Sequence, residues 1–189
     1  MSSTSSNVVP PEPPRLSIRL PHWGWFLLAT VVVVVASLGL SLWLPYHREQ
    51  HIVEKISSWG GRAYTVAGGP IWLRRILGDN CMKVFDRVDN VILQETGVTD
   101  ADVAHLAVLT SLVQLDLNGT QVGDAGLAYL KRLTNLGYLH LNRTRISDAG
   151  LVHLSGLPNL KELRLGGTQV TDKGVEDLNH VLPLCKVIR

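Results

Sequence analysis

The chain has 189 residues, 46% of them hydrophobic and 18% charged, with 18 basic and 16 acidic side chains and a net charge of +2. Scattered basic residues at near balance give no nucleic-acid footprint. Two cysteines outside any C-x-x-C or Cys/His cluster argue against a metal or redox role, and Gly68-Gly69 and Gly166-Gly167 read as turns rather than as a phosphate loop.

Residues 1–21 are Ser-rich and then Pro-rich, with Pro10, Pro11, Pro13 and Pro14 and almost nothing to bury. This is the composition of a disordered tail, with a proline-docking ligand as the rival reading. Residues 22–45 come next as a predicted transmembrane helix. Within them, 23–44 are 22 residues without a charge, which as a helix span ~33 Å against a hydrocarbon core of ~30 Å. Trp23 and Trp25 stand at one edge and Trp43 and Tyr46 at the other, where amphipathic rings sit. A cleaved signal peptide fits less well, because the run exceeds the usual ~7 to 15 residues and lacks a small-residue cleavage site. Arg15 and Arg19 on one side and Arg48, Lys55 and Arg62 on the other leave the orientation nearly tied.

Residues 46–87 read as a cap. Positions 49–57 carry Ile52, Val53 and Ile56 at helical spacing, Gly60 and Gly61 stop that helix, and 62–67 can be a short strand. A second helix is predicted over 70–77, with Pro70 in its first turn and Trp72, Leu73, Ile76 and Leu77 as the apolar side that covers the first repeat. A separate small domain is the rival, although ~40 residues seldom bury enough surface to fold alone.

From residue 88 a 24-residue pattern recurs, in units 88–111, 112–135, 136–159 and 160–183, with a terminal strand in 184–189. Leu112, Leu115, Leu117, Thr120, Val122, Asp124, Gly126, Leu127, Leu130 and Leu133 return one period later as Leu136, Leu139, Leu141, Thr144, Ile146, Asp148, Gly150, Leu151, Leu154 and Leu157. Each unit predicts a short strand with inward leucines, a turn at the threonine, and a helix from about Asp124, Asp148 or Asp172, where an acid meets the positive end of the helix dipole. Thr99, Ser147 and Thr171 are good N-caps, and Gly123 a weaker one. Leu184, Val187 and Arg189 continue the strand positions. Stacking puts Cys81 and Cys185 ~20 Å apart, beyond a disulfide's reach, so both are expected to be small buried apolar groups.

The L-x-x-L-x-L cores in 112–117, 136–141 and 160–165, each leading into T-x-V-x-D-x-G-L, resemble the leucine-rich repeat family in its bacterial form. The resemblance covers about half the chain. Thr96, Thr120, Thr144 and Thr168 stand where many members carry Asn. It implies an α/β solenoid, short, with parallel strands on the concave face and helices on the convex face, here behind a helical N-terminal cap and one transmembrane helix. It also implies a recognition module for a protein or peptide partner, anchored in the membrane in a single pass with the repeats outside the cytoplasm.

By register the outward strand side chains are Asn90, Ile92 and Gln94; Gln114, Asp116 and Asn118; Tyr138, His140 and Asn142; and Glu162, Arg164 and Gly166. The last three units supply the candidate partner-binding residues Gln114, Asp116, Asn118, Tyr138, His140, Asn142, Glu162 and Arg164, with Tyr138 as an aromatic anchor among charges. Ordinary solvent-facing strand residues would look the same. Asp116 beside His140 is a fragment of many active sites, but no nucleophile accompanies it and the face is open, so no enzyme and no cofactor are expected. The competing role is a structural spacer tethered to the membrane.

Overall fold

The computed structural model describes residues 22–189; the expected disordered tail, 1–21, lies outside the described residues. Contacts divide the chain into two units, Met1–Gly39 and Leu40–Arg189. Helix α1 is His22–Ser58. In the first unit its described side chains are exposed, Phe26 by 74% and Val33 by 65%. Among the described residues no helix is long and apolar enough to cross a membrane; the side chains of Leu38 and Leu42, inside the expected span, lie outside the described ones.

In the second unit, α1 is followed by β1 (Arg62–Val66), α2 (Ile71–Leu77), α3 (Asp79–Met82) and a 3-10 turn at Lys83–Phe85. The repeats then supply β2 (Arg87–Ile92), α4 (Asp100–Leu106), β3 (Gln114–Asp116), α5 (Asp124–Leu130), β4 (Tyr138–His140), α6 (Asp148–Leu151) with a 3-10 extension at Val152–Gly156, β5 (Glu162–Arg164), α7 (Asp172–Val181) and β6 (Lys186–Ile188). The six strands form one sheet in sequence order. Strands β2 to β6 are parallel and pair at the period, Leu115 with Leu139 and Leu139 with Leu163. The inward leucines of strands and helices, among them Leu115, Leu117, Leu127, Leu130 and Leu133, are fully buried in one continuous core. Each unit buries its aliphatic spine against the next, which is why one unit cannot stand alone.

Three sets of hydrogen bonds lock the stack. Within each unit the threonine hydroxyl donates back to the strand's last leucine carbonyl, Thr120 to Leu117 at 2.7 Å and Thr144 to Leu141 at 2.6 Å. Between units, Asn118 Oδ1 accepts from Asn142 N at 2.8 Å and Asn142 Oδ1 from Gly166 N at 2.7 Å. At the helix starts, Asp124 Oδ1 accepts from Ser147 N at 2.8 Å and Oδ2 from Ser147 Oγ at 2.6 Å, and Asp148 repeats the pattern with Thr171 at 2.7 and 2.6 Å. Asp100 opens this ladder by accepting from Gly123 N at 2.7 Å. The aspartates therefore do more than meet the helix dipole. The glycine two residues after Asp124, Asp148 and Asp172 leaves room for the carboxylate of the preceding unit: a Cβ at Gly126 would stand 2.6 Å from Asp100 Oδ1.

Three expectations need correction. α2 forms as predicted but buries no residue; Trp72, Ile76 and Leu77 are exposed, with only Leu73 half-buried. Its place over the first repeat is already filled, because β1 pairs antiparallel with β2 and Ile52 and Ile56 of α1 enter the core. α2 is held by polar contacts instead, Arg74 reaching Gly68 O at 2.9 Å, Asp86 at 2.6 Å and Asp79 at 3.2 Å. Second, Leu184 is 93% exposed. Earlier units close their helices with three-residue bonds, Leu133 N to Leu130 O and Leu157 N to Leu154 O, whereas Leu182 N bonds Leu178 O, four residues back. That extra residue hands the inward sites to Leu182 and Cys185 and turns Leu184 out. Third, both cysteines are free, as spacing implied, but Cys81 is exposed and only Cys185 is buried.

Candidate partner-binding face

The sheet presents two rows of side chains. One runs through Asn90, Gln114, Tyr138, Glu162 and Lys186, and the other through Ile92, Asp116, His140, Arg164 and Ile188, each joined across strands by the parallel register. Asn118 and Asn142 lie just beyond the second row with their carboxamide oxygens committed to the ladder. The structure thus brings all eight candidates to one face. It also adds two that the repeat pattern does not contain. In the antiparallel pair β1–β2, Arg62 lies opposite Ile92 and Tyr64 opposite Asn90, and opposed residues project from the same side of a sheet. Arg62 borders a polar hollow with Gly60, Ile92 and Gln94. A strand signal at 62–66 was legible, but its direction was not, since about twenty residues separate it from its partner.

A strip of charge crosses the middle strands. His140 Nδ1 stands 3.6 Å from Asp116 Oδ2 and its Nε2 3.9 Å from Glu162 Oε1, both longer than a hydrogen bond. Arg164 Nε donates to Glu162 Oε1 at 2.7 Å. That bond, ahead of the nearby positive charges, holds the Glu162 carboxyl below the usual carboxylate range against the cost of its partial burial. Asp116 is 8% exposed, its Oδ1 accepting from Asn118 N at 3.0 Å. Tyr138 is 38% exposed and Tyr64 47%, so the two aromatic rings, about three strand spacings or ~14 Å apart, are the large accessible groups of the first row. Asn90 donates through Nδ2 to Gln114 Oε1 at 3.4 Å, and its Oδ1 is buried without a partner among the described residues. Among those residues no group of three or more His, Cys, Asp or Glu is arranged to hold a metal ion.

The family described as Leucine Rich repeat matches this chain at residues 108–131 and 156–178. Similar solved structures include an internalin C2 from Listeria monocytogenes, 28% identical over 53% of this chain and 41% of that one, with a TM-score of 0.42. A leucine-rich repeat protein of Leptospira interrogans is 18% identical over 46% of this chain and 27% of its own, with a TM-score of 0.35. The chain thus spans less than half the length of either. No curated protein matches it. Period, buried aliphatic spine and parallel ladder give 88–189 an α/β fold like that of a leucine-rich repeat, and the family's pattern is matched within it at the two segments named.

Proposed function

We propose that this is a membrane-anchored leucine-rich repeat protein that holds a protein or peptide partner on its concave sheet. One observation carries the binding reading: the interior stays aliphatic from unit to unit, while the strand positions at Gln114, Tyr138 and Glu162 change at every unit and carry an exposed tyrosine next to a charged strip. Aromatic rings among paired charges are the usual anchors of protein interfaces. Asn118 and Asn142 serve the stack, so recognition falls on Tyr138, His140, Arg164 and Glu162, with Gln114 and Asp116 beside them. Arg62 and Tyr64 extend the surface.

The anchor is residues 22–45. Its uncharged run is supported by the way its few polar groups are satisfied: Thr30 Oγ1 donates to Leu27 O at 2.8 Å and Ser37 Oγ to Val34 O at 2.9 Å, inside the helix and without need of water. The protein passes the membrane once and the repeats lie outside the cytoplasm. It is not an enzyme and needs no cofactor, because the Asp116–His140 pair has no nucleophile beside it and the sheet is open.

The test is cross-linking capture by the full chain from envelope membranes, compared with Tyr138→Ala and Arg164→Ala. A specific partner lost in both variants supports recognition. A pattern indifferent to both supports a tethered spacer, and overturns the reading.

A further inference from the structure

The cap carries an apolar surface that the concave sheet does not use. On α2, Ile71, Trp72 and Ile76 are 79%, 64% and 72% exposed, and Val66 and Leu77 beside them are 55% and 51% exposed. Residues four apart share a side of a helix, so Ile71 and Arg75, and Trp72 and Ile76, form one outward face. The inner side is pinned by Arg74, whose guanidinium takes up both nearby acids, Asp79 and Asp86. Arg75 and Lys83 are exposed and stand in no ion pair among the described residues. The face therefore offers apolar side chains with the uncompensated charge of Arg75 among them, and Lys83 follows six residues beyond the helix.

Contacts within 40–189 place this face. β1 starts beside the far end of α1, where Gly61 N donates to Ile56 O at 2.9 Å. It ends at Val66, paired with Arg87, and Arg87 Nε lies 3.7 Å from Glu49 Oε1. Glu49 is five residues past Leu44, the last aliphatic residue of the predicted span, or ~7.5 Å along a helix. Beyond Val66 the chain continues to Gly68, tied to Asp86 at 3.2 Å, and into α2. α2 thus lies at the Leu44 end of this unit, where the bilayer boundary falls on the anchored reading.

We propose that α2 is an interfacial foot: Ile71, Trp72 and Ile76 enter the boundary between head groups and acyl chains of an anionic bilayer, with Arg75 and Lys83 against the lipid phosphates. The chemistry fits that zone, since tryptophan rings prefer it, apolar helix faces bury there, and basic side chains are drawn to anionic lipid. The inference rests on the membrane-anchored reading and adds a second, peripheral contact that limits the swing of the repeats above the membrane.

The experiment uses the full chain with Cys81→Ser and Cys185→Ala, carrying one fluorescent label at Ile76→Cys, Ile71→Cys, Val32→Cys or Glu176→Cys. Each is reconstituted in phosphatidylcholine–phosphatidylglycerol vesicles whose acyl chains are brominated. The labels at 71 and 76 should lose as much fluorescence as that at 32, while the label on exposed Glu176 keeps its signal, and Arg75→Glu with Lys83→Glu should restore the signal at 76. If 71 and 76 stay as bright as 176 while 32 is quenched, the foot is overturned and the anchor stands. The foot is equally overturned if 71 and 76 are shielded from a water-soluble quencher yet untouched by the bromolipid, because a protein then covers α2. Should 32 also escape quenching, the anchored reading fails and takes the foot with it.

Discussion

Gly150→Ala sets helix propensity against the carboxylate ladder, and the two predict opposite signs. Within a helix, alanine is ordinarily favoured over glycine by ~1 kcal/mol. At Gly150, however, a Cβ would stand 3.0 Å from Asp124 Cγ and 3.2 Å from Asp124 Cα, and closer still to Oδ1. The Cα belongs to the backbone of α5 and moves only with its layer, so the carboxylate must swing away. Its bonds from Ser147 N at 2.8 Å and Ser147 Oγ at 2.6 Å are then lost. A hydrogen bond to a charged group contributes ~1.5 to 3 kcal/mol when buried; at this half-exposed site about 1 to 1.5 kcal/mol each is reasonable. Set against the helix gain, the variant should be destabilised by ~1 to 2 kcal/mol, and each kcal/mol lowers the melting temperature of a domain the size of Leu40–Arg189 by ~2 to 4 °C. Gly156→Ala is the control, because its Cβ would meet Lys131 only at 3.9 to 4.0 Å, ordinary contact. Urea unfolding of the full chain in detergent, monitored by far-ultraviolet circular dichroism, reads both. A midpoint for Gly150→Ala at or above that of the parent, or a fall equal to that of Gly156→Ala, would refute the ladder.

Thr144→Val keeps the shape of a buried side chain but removes its 2.6 Å bond to Leu141 O; the same unfolding assay should show a loss of ~1 to 2 kcal/mol, most of it recovered by Thr144→Ser. Burial raises the Glu49 carboxyl above its ordinary value of 4.5, outweighing the Arg87 charge and the bond from Val88 N. Being raised, it binds its proton more tightly in the folded chain, so its contribution is complete below the ordinary value and is lost as pH rises through the folded one. Glu49→Gln should flatten that part of the stability curve, and an unchanged slope would count against it. Burial first, and then the Glu162 charge, push the Cys185 thiol up to about 11. At neutral pH a maleimide should therefore label exposed Cys81 in the native chain and Cys185 only after unfolding; two fast thiols in the native chain would contradict the terminal layer as described.

The period was readable because burial repeats with it: in the three units from Leu112 to Leu165 the strand leucines that face inward return at the same place, and strands, helix starts and N-caps come with them. What the period concealed is chemistry that crosses from one unit to the next. Asp124 and Ser147 lie 23 residues apart, one short of the repeat, so aligning like with like sets aspartate on aspartate and never beside its partner. A trace was present all the same. Glycine inside a helix is costly, and its return two residues after each aspartate, at Gly126, Gly150 and Gly174, asks for a close neighbour. α2 shows the reverse difficulty. Its pattern correctly announced an apolar side, but amphipathicity states that a face needs a cover and not which cover, and the sheet had already closed with β1.

The concave face shows why position alone underdetermines function. Asn118 and Tyr138 are both outward by register, yet one spends its carboxamide oxygen on the backbone of the next unit while the other leaves its ring 38% exposed. A side chain bonded to the backbone holds the same geometry with or without a partner, so replacing Asn118 would weaken the stack first and binding through it. An exposed ring or guanidinium can be removed with the stack intact. Tyr138 and Arg164 are therefore the positions at which a loss of capture separates recognition from folding, provided that the unfolding midpoint stays where the parent has it.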